Sequence, residues 1–383
     1  MPAKTPELEA MLNQLIGHPS VSSTQANLDM SNRQVIDELA NWLGDLGFAI
    51  QIQPLSDNGS KANLVARIGQ GEGGLIFSGH TDTVPCDENL WQSDPFEATL
   101  TETGFRGLGA TDMKGFFAIL LSTFAEIPLG KLTAPLTLVA TADEESSFGG
   151  ARLLNEINFA TDAKVIIGEP TDLKPVALHK GIMMESIRVT GIAGHSSNPA
   201  LGINALEVMA EVLEQLLLFR RELQNKYRHE GFSIPVPTLN PGCIHGGDNP
   251  NRICSKCELQ FDLRSIPGMK SDELRGEIDR LLERLAKHWN TTIERVSLLD
   301  PVEAFEQNLD SDLVRDLETI CSSPAQAVAF ATEAPFYQQL GLDTLVLGPG
   351  SIDQAHQANE YIAFDQIEQG RSIYTNIIQK YCL

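Results

Sequence analysis

The chain has 383 residues, and its 51 acidic against 28 basic side chains give a formal net charge of −23 at pH 7. A chain this acidic is repelled by phosphate backbones and by anionic lipid surfaces, so we expect no nucleic acid and no membrane among its partners. Apolar residues make up 42% of the sequence, which excludes the disordered and collagen-like classes. The length predicts about two to three domains.

The N-terminal residues show no basic start followed by an apolar stretch, and no apolar run reaches the roughly 18 residues that cross a bilayer. We therefore expect a cytoplasmic protein without a signal peptide. The cysteines are scattered over a long chain, which favours free thiols over a disulfide framework. Cys254 and Cys257 form a C-x-x-C pair, but the second pair or thioredoxin-like setting of a redox or metal site is missing, so we expect ordinary thiols.

The first half of the chain alternates between two kinds of apolar pattern. Apolar residues at helical spacing, or helix-like composition, predict helices over residues 6–17, 32–47, 114–127 and 147–157. Short β-branched runs bounded by Gly, Pro or polar residues predict buried strands over residues 75–79, 136–142 and 164–168. Strands that alternate with helices predict an α/β domain with a mostly parallel, mixed sheet flanked by helices.

The pattern changes after about residue 180. Alternating residues predict antiparallel strands over 182–190 and 258–264, and amphipathic spacing predicts helices over 204–223 and 271–289, the second with Ser271 as its N-cap. A helix over 310–321 and a strand over 344–348 then restore the α/β character. We therefore predict a catalytic domain of residues 1–180 and 300–383, into which a two-layer α+β domain of residues 181–299 is inserted.

Ligand-type side chains follow four of the predicted strands, and one more precedes a helix. They are His80 and Asp82, the run Asp143-Glu144-Glu145, Glu169, His356 and, before the helix, Asp112. Each alone has an ordinary alternative as a loop, turn or helix-cap residue. Because the carboxyl ends of strands in open α/β sheets meet at one edge, we expect these side chains to gather there. Carboxylates packed together repel one another unless a cation neutralises them, so the joint pattern predicts a metal site.

Several motifs carry a resemblance to a known group of enzymes. The stretches 78–85, 107–115, 141–145, 168–171 and 194–197 resemble those of the di-zinc amidohydrolases, a group that includes aminoacylases, succinyl-diaminopimelate desuccinylases and glutamate carboxypeptidases. The stretches 246–254, 331–336 and 345–357 resemble the branch that deacetylates N2-acetyl-L-ornithine in arginine biosynthesis. The resemblance covers nearly the whole chain. It implies a zinc-peptidase-like catalytic domain, an inserted dimerisation domain, a homodimer and a small N-acetyl amino acid as substrate.

The resemblance also implies a metal site with two Zn²⁺ ions per subunit, for which Co²⁺ can substitute. Asp112 resembles the bridging carboxylate, His80 and Glu169 complete one ion, and Glu145 and His356 complete the other. Two imidazoles and three carboxylates suit borderline-hard divalent ions of this kind.

Three further residues take catalytic roles by the same resemblance. Asp82 would orient the ring of His80, with a turn cap as the alternative. Glu144 would be the general base, which takes a proton from the attacking water and passes it to the departing amine. His195 would donate to the oxyanion across a dimer interface, with a cap before the 201–223 helix as the alternative.

Four residues are candidates for contacts with the substrate. Asn251 and Arg264 match substrate-contacting positions of the group, and Arg264 would grip the α-carboxylate unless it is a surface arginine. Arg252 is a weaker candidate of the same kind. For Glu333 we expect an ion pair with a cationic substrate side chain, on the ground of charge alone.

The sequence leaves three other functions open. One is a related hydrolase, such as a succinyl-diaminopimelate desuccinylase or a broad aminoacylase. A second is a thiol-dependent redox protein that uses Cys254 and Cys257. The third is a metal-free binding protein that has kept the fold.

Overall fold

The computed structural model describes residues 5–56 and 58–383, and the chain divides into two compact units. The first unit ends at Ala177 and takes up the chain again over Gln307–Gln326 and Thr332–Leu383. The second unit comprises Leu178–Glu306 and Ala327–Ala331. The predicted insertion, residues 181–299, lies within the second unit.

The described residues form the following strands and helices. The strands are β1 (Ala49–Pro54), β2 (Ala62–Ile68), β3 (Leu75–His80), β4 (Thr99–Leu100), β5 (Gly104–Arg106), β6 (Leu136–Thr141), β7 (Lys164–Pro170), β8 (Val176–His179), β9 (Met183–Thr190), β10 (Thr238–Gly246), β11 (Lys256–Arg264), β12 (Thr292–Ser297), β13 (Phe305–Glu306), β14 (Gln326–Val328), β15 (Asp343–Gly348) and β16 (Tyr361–Ala363). The helices are α1 (Leu8–Gly17), α2 (Arg33–Asp45), α3 (Lys114–Glu126), α4 (Gly149–Arg152), α5 (Ala205–Lys226), α6 (Ser271–Trp289), α7 (Asp312–Cys321), α8 (Ala334–Gln339) and α9 (Phe364–Cys382).

The first unit is built on a mixed sheet with the strand order β1-β2-β6-β3-β7-β15-β8. The four central strands β6, β3, β7 and β15 run parallel, whereas β1, β2 and β8 pair antiparallel with their neighbours. Helices α2, α3, α8 and α9 pack against its strands. The central strands are buried except for the first residues of β7 and β15, as expected for parallel strands covered by helices. The predicted mostly parallel α/β fold is confirmed.

The second unit is a two-layer α+β structure. Its sheet has the order β10-β11-β9-β12, with every pair antiparallel, and helices α5 and α6 pack on it. Along β11 buried residues alternate with more exposed ones, which is the pattern that predicted an antiparallel strand. The strand β8 passes from the first unit into the second, where its last residues pair with β13.

Two local predictions are wrong. The helix predicted over residues 147–157 is a four-residue helix, α4, followed by a 3₁₀ turn. The tight packing of Gly150, where a Cβ would lie 2.3 Å from Asn63 Oδ1, holds this segment close to the sheet. The predicted N-cap of α6, Ser271, is instead its first helical residue, after Lys270. The side chain of Glu303 accepts the backbone N–H of Ser271 at 3.2 Å and so replaces the hydroxyl as a cap. Among the described helices, none combines the length and the apolar character that a bilayer crossing requires.

Candidate metal centre

Parallel strands of the first unit bring the predicted metal ligands to one edge of the sheet. His80 is the last residue of β3 and Glu169 lies near the end of the adjacent strand β7. Glu145 follows β6, which pairs with β3 on its other side, and His356 follows β15. Asp112 completes the group from the loop before α3. These residues therefore gather at one edge because the central strands run in the same direction.

Asp112 stands between two sets of side chains. Its Oδ1 lies 3.0 Å from Nε2 of His80, which is also 3.8 Å from Oε1 of Glu169. Its Oδ2 lies 3.6 Å from Nε2 of His356, which is 3.1 Å from both carboxylate oxygens of Glu145. Each oxygen of Asp112 thus faces a different pair of one imidazole and one carboxylate, as a bridging carboxylate requires.

The donor atoms are spaced closely enough to hold ions. Ligand atoms within 4.8 Å of one another form three groups among the described residues: His80 with Asp112 and Glu169, Asp112 with Glu145 and His356, and His80 with Glu144 and Glu145. The first two groups are the two predicted sites with Asp112 in common. A set of imidazoles and carboxylates without a thiolate fits zinc or cobalt, so the residues present fit the metal ions that the sequence predicts.

The electrostatics of the cluster also favour a cation. Burial, reinforced by neighbouring carboxylates, raises the pKa of Glu144 and of Glu169 well above the ordinary value. Burial alone would lower the pKa of His80, but the negative charge of Glu169 and Asp112 raises it well above its ordinary value. Several carboxyl groups are therefore crowded in a buried region, where their charged forms repel one another. Divalent ions would relieve that repulsion.

Asp82 is fully buried and forms hydrogen bonds with the loop that carries Glu144 and Glu145. Its Oδ1 and Oδ2 accept the backbone N–H groups of Glu144 and Glu145 at 3.2 and 3.0 Å. The ring of His80 is fixed by the backbone carbonyl of Asp82, 3.0 Å from Nδ1, whereas the carboxylate Oδ1 is 3.7 Å away. Asp82 therefore orients His80 through its main chain and the loop of Glu144 and Glu145 through its carboxylate.

The sharp turn after β6 places Glu144 beside His80 and Glu145. Asp143 adopts a left-handed conformation with φ of 60°, which turns the chain immediately before Glu144. The side chain of Asp143 is held by the buried Lys61, at 2.5 Å from Nζ, and by Ser22 Oγ at 2.9 Å. Glu144 is 7% exposed and stands in the ligand cluster without belonging to either group that contains Asp112. This position suits a residue that transfers protons during a reaction without binding a metal ion.

Two residues that the sequence reasoning missed hold this site together. One is Lys61, and the other is Glu360, whose carboxylate accepts the backbone N–H of Asp112 at 2.9 Å. Burial and the nearby Asp112 raise the pKa of Glu360 to about 8, while its backbone hydrogen bonds favour the charged form. The sequence offers one signal, a carboxylate four residues after His356.

Glu333 lies in the first unit and is only 1% exposed. Its Oε2 accepts a 3.4 Å hydrogen bond from Ser78 Oγ, and its Oε1 has no hydrogen-bond partner among the described residues. Burial raises its pKa to about 7. Because the carboxyl group of Glu333 is buried, its position does not support the ion pair with a cationic substrate side chain that was predicted from charge alone.

The remaining candidates lie in the second unit. His195 forms an isolated β-bridge with Arg252, and the backbone N–H of Ser196 donates to the carbonyl of Asn251 at 3.1 Å. The segments of these residues are therefore adjacent. The alternative role of His195 as a cap is wrong, because the side chain of Asn204 caps α5 by accepting from Leu206 N–H.

The two arginines differ in their surroundings. Arg252 is more than half exposed and pairs with Asp248 at 2.6 Å. Arg264 is 26% exposed and pairs through Nε with Asp262 at 2.8 Å. It lines a cavity of about 360 Å³ together with Lys180 and Phe232. Arg264 is thus neither a freely exposed surface arginine nor unpaired.

The chain matches the peptidase family M20/M25/M40 over residues 76–380 and belongs to that family. It is 48% identical over 368 residues to the acetylornithine deacetylase of Vibrio cholerae, covering 96% of this chain and 97% of the relative. It is 44% identical over 382 residues to the acetylornithine deacetylase of Edwardsiella ictaluri, and here both chains are covered completely. The sequence-based assignment to this group of hydrolases is confirmed.

Solved structures of low sequence identity show the same fold. A tripeptidase from Staphylococcus aureus superposes with a TM-score of 0.77 at 18% identity, covering 100% of this chain and 99% of that one. An M20 family metallo-carboxypeptidase from Sulfolobus solfataricus gives a TM-score of 0.76 at 18% identity, covering 98% and 99%.

Proposed function

We propose that this chain is a metal-dependent amidohydrolase that deacetylates N2-acetyl-L-ornithine to L-ornithine and acetate in arginine biosynthesis. The observation that carries the proposal is Asp112, whose two carboxylate oxygens face separate imidazole–carboxylate pairs. The substrate is supported by near-full-length relatives named acetylornithine deacetylase at 43–48% identity. We propose the cytoplasm as the site of this reaction.

His80, Asp112 and Glu169 would hold one Zn²⁺ ion, and Asp112, Glu145 and His356 would hold the other, with Co²⁺ as a substitute. Bound there, divalent ions would supply Lewis acidity, which lowers the pKa of a water molecule towards about 7 and polarises the acyl carbonyl. Asp82 would keep the ring of His80 and the loop of Glu145 in place through the contacts described above.

Glu144 would act first as the general base and then as the general acid of the reaction. Its carboxylate takes a proton from the attacking water and then gives that proton to the departing α-amino group. The support is its position, because Glu144 lies within the ligand cluster while Asp82 holds its backbone N–H at 3.2 Å.

His195 would donate a hydrogen bond to the developing oxyanion, and Asn251, Arg252 and Arg264 would contact the substrate. For Arg264 the planar fork would bind the α-carboxylate, with Asp262 holding Nε in place. We propose that His195 serves the metal centre of a second copy in a homodimer.

Exposed apolar side chains on the second unit support such a pairing. Ile192, Leu201, Leu206 and Ile244 are 43–56% exposed. Leu201 lies against Gly194, next to His195, and Leu206 lies against Gly246, two residues from Ile244 on the edge strand β10. An apolar patch beside the segment of His195 is what an interface between identical inserted domains would require.

A substrate panel tests the proposed reaction. The purified protein, loaded with zinc or cobalt, is assayed on acetyl, succinyl and formyl derivatives of ornithine, diaminopimelate and neutral amino acids. We expect the highest kcat/KM for N2-acetyl-L-ornithine. A preference for a succinyl substrate would make the protein a desuccinylase, and equal turnover of many acyl amino acids would make it a broad aminoacylase.

Two treatments separate the remaining alternatives. Chelation should abolish activity, and thiol alkylation should leave it, because Cys254 and Cys257 are buried thiols outside the metal cluster. The opposite result would favour the redox protein. Absence of metal uptake by the purified chain would favour the metal-free binding protein.

A further inference from the structure

Glu360 is a buried carboxylate that binds the loop before Asp112. Its Oε1 accepts the backbone N–H groups of Thr111 and Asp112 at 2.7 and 2.9 Å. Its Oε2 accepts the backbone N–H of Gly109 at 3.0 Å. The side chain is 1% exposed, so water does not compete for these hydrogen bonds.

The three N–H groups converge on one carboxylate only if the loop keeps a single shape. Gly109 contributes a left-handed conformation with φ of 83°, which a residue with a side chain rarely adopts. The loop ends at Asp112, whose own N–H is one of the three donors. The hydrogen bonds to Glu360 therefore hold the backbone from which the carboxylate of Asp112 projects.

The main chain around Glu360 adds further links to the same loop. The carbonyl of Glu360 accepts the N–H of Gly107 at 3.0 Å, and the carbonyl of Tyr361 accepts Thr111 Oγ1 at 2.7 Å. Strand β16 then pairs antiparallel with β5. Glu360 lies four residues after His356, so one segment both supplies a predicted metal ligand and clamps the loop of another.

We propose that Glu360 is a positioning residue, which fixes the loop of residues 109–112 so that the two oxygens of Asp112 point towards the two metal positions. Among the described residues its carboxylate makes no hydrogen bond or ion pair with the side chain of a predicted metal ligand, and it acts through the backbone. Loss of these hydrogen bonds should weaken the binding of both metal ions, because Asp112 is shared by both ligand groups. The inference rests on the proposed metal centre and not on the identity of the substrate.

The substitution Glu360→Gln tests the proposal with little change in shape. Its NH₂ group must face an N–H donor on one side, so at least one of the three hydrogen bonds is lost. We expect affinity for both zinc ions to fall by about 10–100-fold, as for other groups that orient ligands. The measurement is zinc titration of the metal-free protein against a chromophoric chelator, and excess zinc should restore kcat.

Glu303→Gln is the matched control. Glu303 also accepts a backbone N–H, that of Ser271, but it lies in the second unit, outside the metal cluster. This variant should lower the unfolding midpoint without changing zinc affinity. If Glu360→Gln does not fold, Thr111→Val provides the test, because it removes the 2.7 Å bond from the same loop to Tyr361. Thr111→Val should also lower the affinity for both zinc ions, by a smaller factor.

Wild-type zinc affinity in Glu360→Gln, or in Thr111→Val where the first variant does not fold, would overturn the proposal. So would a wild-type protein that takes up no zinc. A wild-type protein that binds two zinc ions but does not turn over N2-acetyl-L-ornithine would refute the proposed function alone. The zinc affinities of the variants would still decide the role of Glu360.

Discussion

The carboxylate of Asp82 accepts the backbone N–H of Glu145 at 3.0 Å, and through this bond the loop after β3 holds the loop after β6. The same carboxylate accepts the N–H of Glu144 at 3.2 Å. One buried side chain thus holds both a proposed metal ligand and the proposed base. A sequence motif that places Asp two residues after His80 predicts only the orientation of the imidazole ring.

Asp82→Asn should therefore weaken catalysis as well as metal binding. The amide keeps the size of the side chain but turns an NH₂ group towards one of the two backbone donors. We expect zinc affinity to fall about 10–100-fold, and kcat at saturating zinc to fall as well, because Glu144 loses its support. Asp87→Asn is the control, since Asp87 also accepts a backbone N–H, from Asn89, but on an exposed loop. Unchanged kcat at saturating zinc would limit Asp82 to metal binding.

Glu144→Gln should separate proton transfer from metal binding. Glu144 belongs to neither ligand group that contains Asp112, so both ions should remain bound. The amide cannot accept the proton of the attacking water, and a positioned base contributes about 10²–10⁴-fold to the rate. The expected result is two bound metal ions, by elemental analysis, with kcat reduced by about that factor. Metal content that falls in step with activity would make Glu144 a ligand.

The strands that carry His80 and Glu169 could be predicted because each is a short buried run that leads directly into its ligand residue. His80 and Glu169 needed only the rule that parallel strands share their carboxyl edge. The role of Glu360 could not be predicted, because it binds a loop 248 residues earlier in the chain. The cap of α6 was missed for the same reason, since its acceptor, Glu303, lies 32 residues beyond Ser271.

Glu185→Ala should destabilise the second unit. Glu185 is fully buried and pairs with Arg275 Nε at 2.7 Å and with Arg295 NH1 at 2.9 Å, which links β9, α6 and β12. Removal of one partner from a buried ion pair leaves uncompensated charge and typically costs about 3–5 kcal/mol. Denaturant unfolding measures the loss.

Glu230→Ala is the control for this prediction, because Glu230 forms a largely exposed pair with Arg228. An exposed pair of this kind contributes about 0–1 kcal/mol. Equal unfolding midpoints for the two variants would show that the buried network adds no more stability than a surface pair.

A mixture of inactive variants tests whether His195 serves a partner subunit. His195→Ala and Glu144→Ala are each nearly inactive under the proposal, because one lacks the oxyanion donor and the other lacks the base. After reversible dissociation and mixing, a hybrid dimer has one site with both groups intact. About half of randomly formed dimers are hybrid, so activity should return to roughly a quarter of the wild-type value. Confirmed subunit exchange without recovery would place His195 in its own chain's site or outside catalysis.

The bridging position of Asp112 is tested most directly by zinc uptake. The metal-free wild-type protein and Asp112→Ala are titrated with zinc, and bound zinc per chain is measured at limiting free metal. Because Asp112 belongs to both ligand groups, we expect two zinc ions per wild-type chain and loss of both ions from the variant. Two ions bound by Asp112→Ala with wild-type affinity, or a single ion bound by the wild-type chain, would contradict it.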